Sequence, residues 1–217
     1  MRHPVTQTPT SHSIRLLIAA ACALALCGCA SKKGEPTTQF DFGPAKSAAA
    51  APAAQAAQPG PLGAVVITDV TGSSALDNER MFYRLSYADA QEARSYANSR
   101  WSASPLQLLT QRLKTRIGQA GAKVLSETDA SAGIPILRVD VDDFIHDFSG
   151  VGQSRGVVAV RASVFQGHKL VDQRTFVRRT DATTADAPGG ARALAASTDG
   201  VAADIAAWLG TLNLARR

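Results

Sequence analysis

The chain has 217 residues, with 23 lysines and arginines against 18 aspartates and glutamates, for a net charge of +5 at neutral pH. So mild an excess does not argue for a nucleic-acid partner. All three cysteines, Cys22, Cys27 and Cys29, lie near the N-terminus, so the rest of the chain has no means of forming a disulfide, a thiolate metal site or a cysteine nucleophile.

Arg2, His3 and Arg15 make a basic start, and Leu16 to Leu26 is apolar without a charge. That run is shorter than the roughly 20 apolar residues of a membrane span, but it fits the hydrophobic stretch of a secretory signal. It ends in Leu26-Cys27-Gly28-Cys29, which resembles the lipobox of bacterial lipoproteins: an aliphatic residue, two small residues, then the lipidated cysteine. Small residues let a peptidase reach the backbone, and a thiol can carry a diacylglyceryl group. Cleavage before Cys27 would place bulky Leu26 at the cut, so residues 1–28 are expected to be the signal peptide. Cys29 then carries a covalent lipid, the one attached group expected. Loss of Arg2 and Arg15 brings the charge from +5 to +3. In lipoproteins an aspartate after the cysteine marks retention at the inner membrane. Ala30 stands there instead, and the resemblance implies a lipid anchor on the periplasmic side of the outer membrane.

Residues 29–37 are expected to be a short tether. Thr38 to Phe42 alternates apolar and polar residues, as a first strand of the domain would. The Ala/Pro/Gln-rich stretch at about 44–61 is expected as a disordered insertion. The alternative is that everything from Ala30 to Pro61 is tether, with a relaxed reach of roughly 30 Å. The domain is expected over 38–217.

Leu62 to Val70 reads as a β-branched strand stopped by Thr71-Gly72-Ser73, and Met81 to Tyr87 as a second strand. Tyr96 to Trp101 reads as a short strand or loop. Ser104-Pro105-Leu106-Gln107 opens a helix, with Ser104 as N-cap and Pro105 where its missing N–H is harmless. Leu106, Leu109, Leu113 and Ile117 make its buried stripe, and Arg112, Lys114 and Arg116 are expected on its exposed side. Ile134 to Phe144 alternates as a strand, and Gly156 to Phe165 and Leu170 to Thr180 make a hairpin about Gln166-Gly167-His168-Lys169. From about Pro188 to Leu212 a helix carries Leu194, Thr198, Val201, Ile205, Trp208 and Leu212, a stripe read as packed on a sheet rather than as a coiled-coil seam. The class expected is α+β: a mostly antiparallel sheet with two main helices packed on it.

Asp140, Asp142, Asp143, His146 and Asp147 are the one acidic cluster with a histidine. A metal or carboxylate site is conceivable there, but a solvated strand face is the plainer reading. Gly150 to Gly156 lacks the spacing of a phosphate loop and leads into a strand, so it reads as a flexible hairpin tip. Phe144, Phe148 and Phe165 read as core. No catalytic, cofactor or metal residues are assigned, and the chain is expected not to be an enzyme. The residues expected to touch a partner are Gly150, Gly152 and Arg155 at the tip and Arg112, Lys114 and Arg116 on the helix.

Met81-Phe82-Tyr83-Arg84, Tyr96 to Trp101, Ser104 to Leu109, Val141 to Phe148 and Trp208-Leu209, in this order and spacing, resemble the ABC-type transport auxiliary lipoproteins, the PqiC-like family. The resemblance implies a non-enzymatic accessory of an intermembrane lipid transport system. The partner implied is an MCE-domain protein of an ABC transporter, with the membrane reached through the lipid anchor. Whether the chain is a homo-oligomer is left open. The alternative is an outer-membrane assembly lipoprotein of the lipopolysaccharide-export type.

Overall fold

A computed structural model describes residues 36–45, 62–129, 132–212 and 214. Cys29 and most of the Ala/Pro-rich stretch lie outside the described residues. Residues 37–217 form one compact unit.

The strands are β1 (Thr38–Phe40), β2 (Ala64–Ile67), β3 (Thr71–Gly72), β4 (Arg80–Arg84), β5 (Ala93–Trp101), β6 (Lys123–Leu125), β7 (Ile136–Gly150), β8 (Gln153–Gln166) and β9 (Lys169–Asp181). The helices are α1 (Pro105–Gln119), after β5, and α2 (Ala187–Thr211), after β9. The fold is α+β, with one mixed sheet. The long β7–β8 and β8–β9 ladders are antiparallel, as expected. The short pairings β1–β5, β2–β6, β2–β7, β3–β7 and β4–β7 are parallel, so the sheet is less uniformly antiparallel than the sequence implies.

β7 is the spine. One of its edges carries β8, and the other is shared in succession by β2 at Ile136–Leu137, β3 at Asp140–Val141 and β4 at His146–Asp147. A 15-residue strand with a register shift between Val141 and Asp143 can host three short neighbours because the bulge re-aims its alternation. β3 and β6, unread in the sequence, are two and three residues long, too short for any periodicity. β5 runs for nine residues where a short strand or loop was expected.

α1 starts as its sequence dictates. The Ser104 hydroxyl accepts the Gln107 N–H at 3.3 Å, and Pro105 sits in the first turn. Leu109, Leu113 and Ile117 are buried in the core. α2 starts one residue before the expected Pro188: Asp186 caps it, accepting the Gly189 N–H at 2.8 Å. Leu194, Thr198, Val201, Ile205 and Trp208 are all buried, and the helix lies on β8 and β9. Phe42, after β1, packs edge-on against Trp101 at 5.5 Å. Thr38 to Phe42 is therefore part of the domain and not of the tether.

Candidate functional site

The end of the β7–β8 hairpin is the first candidate. Gly150 pairs with Gln153, leaving a two-residue turn of Val151 and Gly152. Gly152 has φ +75°, which only glycine adopts without cost. The sequence reading of Gly150 to Gly156 as a flexible tip is corrected: the ladder runs almost to its end. Ser154 and Gly156 are buried. A Cβ on Gly156 would lie 2.4 Å from the Leu194 backbone nitrogen, so this glycine lets α2 press onto the hairpin. Val151 is 89% exposed at the apex.

Beneath the apex the hairpin is braced on both faces. On the side away from α2, Asp147 is buried and accepts Arg155 Nε at 3.0 Å and a guanidinium NH2 at 2.9 Å, and it also accepts the Ser86 hydroxyl. Arg155 is thus engaged within the chain rather than free for a partner. The Tyr87 N–H reaches the Phe148 carbonyl at 3.4 Å, which ties the loop after β4 to the hairpin and leaves the Tyr87 side chain half exposed. On the helix side, the His146 ring packs against Phe148 at 4.5 Å, Tyr83 stands 4.7 Å from Tyr96, and the Tyr96 hydroxyl meets His146 Nδ1 at 2.8 Å. A Cβ on Gly190 would lie 2.3 Å from that Nδ1, so α2 closes directly over the ring. Burial pulls the His146 pKa down to about 4, against the opposing pull of Asp186 and Asp147. Burial also raises the Tyr96 phenol well above its usual range.

This geometry separates the acidic cluster. His146 points toward α2, while Asp140 faces Arg161 at 3.7 Å, Asp143 faces Arg84 at 3.4 Å and Asp147 binds Arg155. Among the described residues no group of three or more His, Cys, Asp or Glu side chains is placed to hold a metal. Phe144 is core, and Phe165 is only partly buried, with the Arg138 guanidinium 5.0 Å over its ring.

The second expected contact, a basic face on α1, is also corrected. Arg112 is buried: it donates to the Phe42 carbonyl, lies 3.2 Å from Asp199 and stacks over the Phe42 ring at 5.8 Å. Burial lowers its pKa, partly offset by Asp199. Arg116 Nε donates to the same Asp199 at 2.8 Å, and Lys114 lies 3.3 Å from Asp69. Arg112 and Arg116 bolt α1 to α2 and to the chain after β1. Periodicity put them on the polar side, and Asp199, far away in sequence, turned that side inward.

The family model described as ABC-type transport auxiliary lipoprotein component matches residues 46–206. No curated protein matches the chain. A crystal structure from Xanthomonas campestris is similar at 16% identity, with a TM-score of 0.61, over 71% of this chain and 87% of that one. A second, of an uncharacterized protein, has 18% identity and a TM-score of 0.58 over 67% and 91%. These two show the fold. The family match spans most of the sequence, and the chain belongs to the ABC-type transport auxiliary lipoprotein family.

Proposed function

We propose that this transport accessory lipoprotein is a docking subunit without enzymatic activity. In this reading it is held on the periplasmic side of the outer membrane by lipid on Cys29 and engages an MCE-domain protein of an ABC transporter that moves lipid between membranes. The observation that carries the reading is the hairpin end: an apolar apex, Val151, and a half-exposed Tyr87 on the loop tied to Phe148 of the same hairpin, set on a base locked by Asp147–Arg155 and by the His146 aromatic cluster. Exposed apolar and aromatic side chains on a rigid support suit a partner contact, because little ordering is lost on binding. Of the cluster that could have offered acid–base chemistry, Asp140, Asp143 and Asp147 are paired with arginines, His146 is buried, and Asp142 is exposed.

The test is co-purification of the MCE-domain protein from detergent-extracted envelopes. Val151→Asp is expected to cut its recovery by about tenfold, equivalent to ~1.4 kcal/mol, with the fold unchanged. Cys29→Ser should end incorporation of labelled palmitate, either releasing the chain or leaving its precursor uncut. Undiminished recovery with Val151→Asp would remove the hairpin end from the interface. Labelled palmitate still entering the Cys29→Ser chain would remove the anchor.

A further inference from the structure

β4 and β5 do not stay paired without a break. From Phe82 opposite Ser95 to Arg80 opposite Arg100, β4 spans two residues while β5 spans five, so the strands part and a cleft of about 920 Å³ opens there. Its charged lining is Asp77, Glu79, Arg80 and Arg100, all exposed. As an antiparallel pair, Arg80 and Arg100 stand on one face with Cα atoms about 4.5–5.5 Å apart, where like charges repel. The arginines of the long ladders are matched: Arg155 with Asp147, Arg161 with Asp140, Arg178 with Asp204. Among the described residues Arg80 and Arg100 form no ion pair, and neither do Asp77 and Glu79 beside them.

The cleft lies where the chain enters the domain. Ser99, which also lines it, pairs with Thr38, the first residue of β1. Cys29 stands nine residues earlier in the sequence, so even a fully extended link reaches at most about 30 Å. Lys32 and Lys33 lie between the two. A lipid on Cys29 therefore keeps the cleft within reach of the headgroups of the membrane that holds it.

We propose that this cleft docks the domain onto its anchoring membrane by binding phosphoethanolamine headgroups at the bilayer surface. The inference rests on the Cys29 anchor of the reading above. Such a headgroup carries a phosphate and a primary ammonium two carbons apart, and the cleft has groups for each. The two guanidiniums suit the phosphate, whose oxygens accept parallel N–H bonds from a planar fork. Asp77 and Glu79 suit the ammonium, which has three N–H donors. A plain anion would meet the two carboxylates as well as the arginines, whereas this zwitterion uses all four side chains. It also relieves the repulsion between Arg80 and Arg100. A trimethylated ammonium has no N–H to donate, so phosphocholine satisfies only the arginine half.

The test reconstitutes the full lipidated chain into vesicles, with a fluorophore on Ser95→Cys in the cleft and a trace of quencher attached to lipid headgroups. In vesicles of phosphatidylethanolamine and phosphatidylcholine, quenching is expected at least about threefold above that in phosphatidylcholine alone, the scale of an exposed charged contact. Phosphatidylglycerol mixed with phosphatidylcholine should stay near the lower value. Arg80→Gln with Arg100→Gln, and separately Asp77→Asn with Glu79→Gln, should each bring the first vesicles down to that value. Tm should not change, because all four side chains are exposed. Flotation with the vesicles reads the anchor separately. A parent chain that does not float overturns the anchor and this docking with it. A chain that floats but quenches alike in all three lipids, or whose variants quench like the parent, overturns the docking alone. Equal quenching with phosphatidylglycerol would make the cleft a plain anion site, and quenching abolished by inorganic phosphate alone would assign it to free phosphate. Either result overturns the headgroup.

Discussion

The two faces of β7 are built from the same strand and hold the fold in different ways. Toward α2 stand Leu137, Val139, Val141, Phe144 and His146, all buried. There shape decides: Gly190 and Gly156 are bare so that helix backbone can touch the sheet. On the other face, Arg138, Asp140, Asp143 and Asp147 are matched by Phe165, Arg161, Arg84 and Arg155. There charge decides, and Ile145 and Val157 make a small buried pair opposite each other, outside the main core. The helix-facing side is closed to an added atom at Gly156 and Gly190, while the other face is sensitive to salt where its ion pairs are exposed, as at Asp140–Arg161.

The largest effect expected is Gly156→Ala. The added methyl would lie 2.4 to 2.8 Å from backbone atoms of Ala193 and Leu194, which cannot rotate away. Overpacking of this kind costs about 3 kcal/mol, or a fall in Tm of roughly 6–12 °C for a domain of this size. Calorimetry on the purified chain checks it. A loss under about 1 kcal/mol would mean that α2 does not bear on the hairpin, and the contrast between the faces would blur.

His146 sharpens the comparison through pH. The folded chain holds the ring neutral, with a pKa lowered from 6.5 to about 4 by burial. Between those values the unfolded chain binds more protons, so stability rises with pH: the contribution is complete above 6.5 and is lost as pH falls toward about 4. Its full extent is at most about 3 kcal/mol. His146→Phe should flatten this part of the profile relative to the parent, measured by urea unfolding between about pH 7 and about pH 4.5. The subtraction removes the titration of carboxylates common to both chains. Parallel profiles for the two proteins would place the imidazole in water.

How far the sequence foretold these features depends on how local their causes are. α1 was legible because Ser104, Pro105 and the leucine spacing are neighbours, and α2 because its stripe repeats five times. β3 and β6 were not, because they exist only where β7 and β2 offer an edge. β7 was cut short at Phe144 because the bulge after Val141 breaks the alternation that the eye follows. The polar side of α1 was misread because Asp199, which draws Arg112 inward, lies on the other helix. At the hairpin end the glycines were noticed but assigned to flexibility. Gly156 and Gly190 acquire their role from Leu194 and His146, contacts that no window along the chain contains.

The smallest expected effect is the most diagnostic of the outer face. Asp140 and Arg161 stand 3.7 Å apart with side chains 45% and 47% exposed, and Thr71 Oγ1 donates to Asp140 at 3.0 Å. An exposed pair at that distance has little Coulomb energy left after water and salt screen it, and holding two mobile side chains together uses up part of the rest. Asp140→Asn keeps the shape and the Thr71 hydrogen bond, so it isolates the charge. The expected loss is about 0.5 kcal/mol or less at low salt, shrinking further at about 0.5 M salt, as read by urea unfolding. Asp147→Asn, on the same face but buried against Arg155 and Ser86, should cost more and respond less to salt, because protein rather than water surrounds it. If instead Asp140→Asn cost more than about 1.5 kcal/mol, or if the two variants showed the same salt dependence, the far side of β7 would have to be covered by protein along its whole length. The division of labour between the faces would then have to be drawn elsewhere.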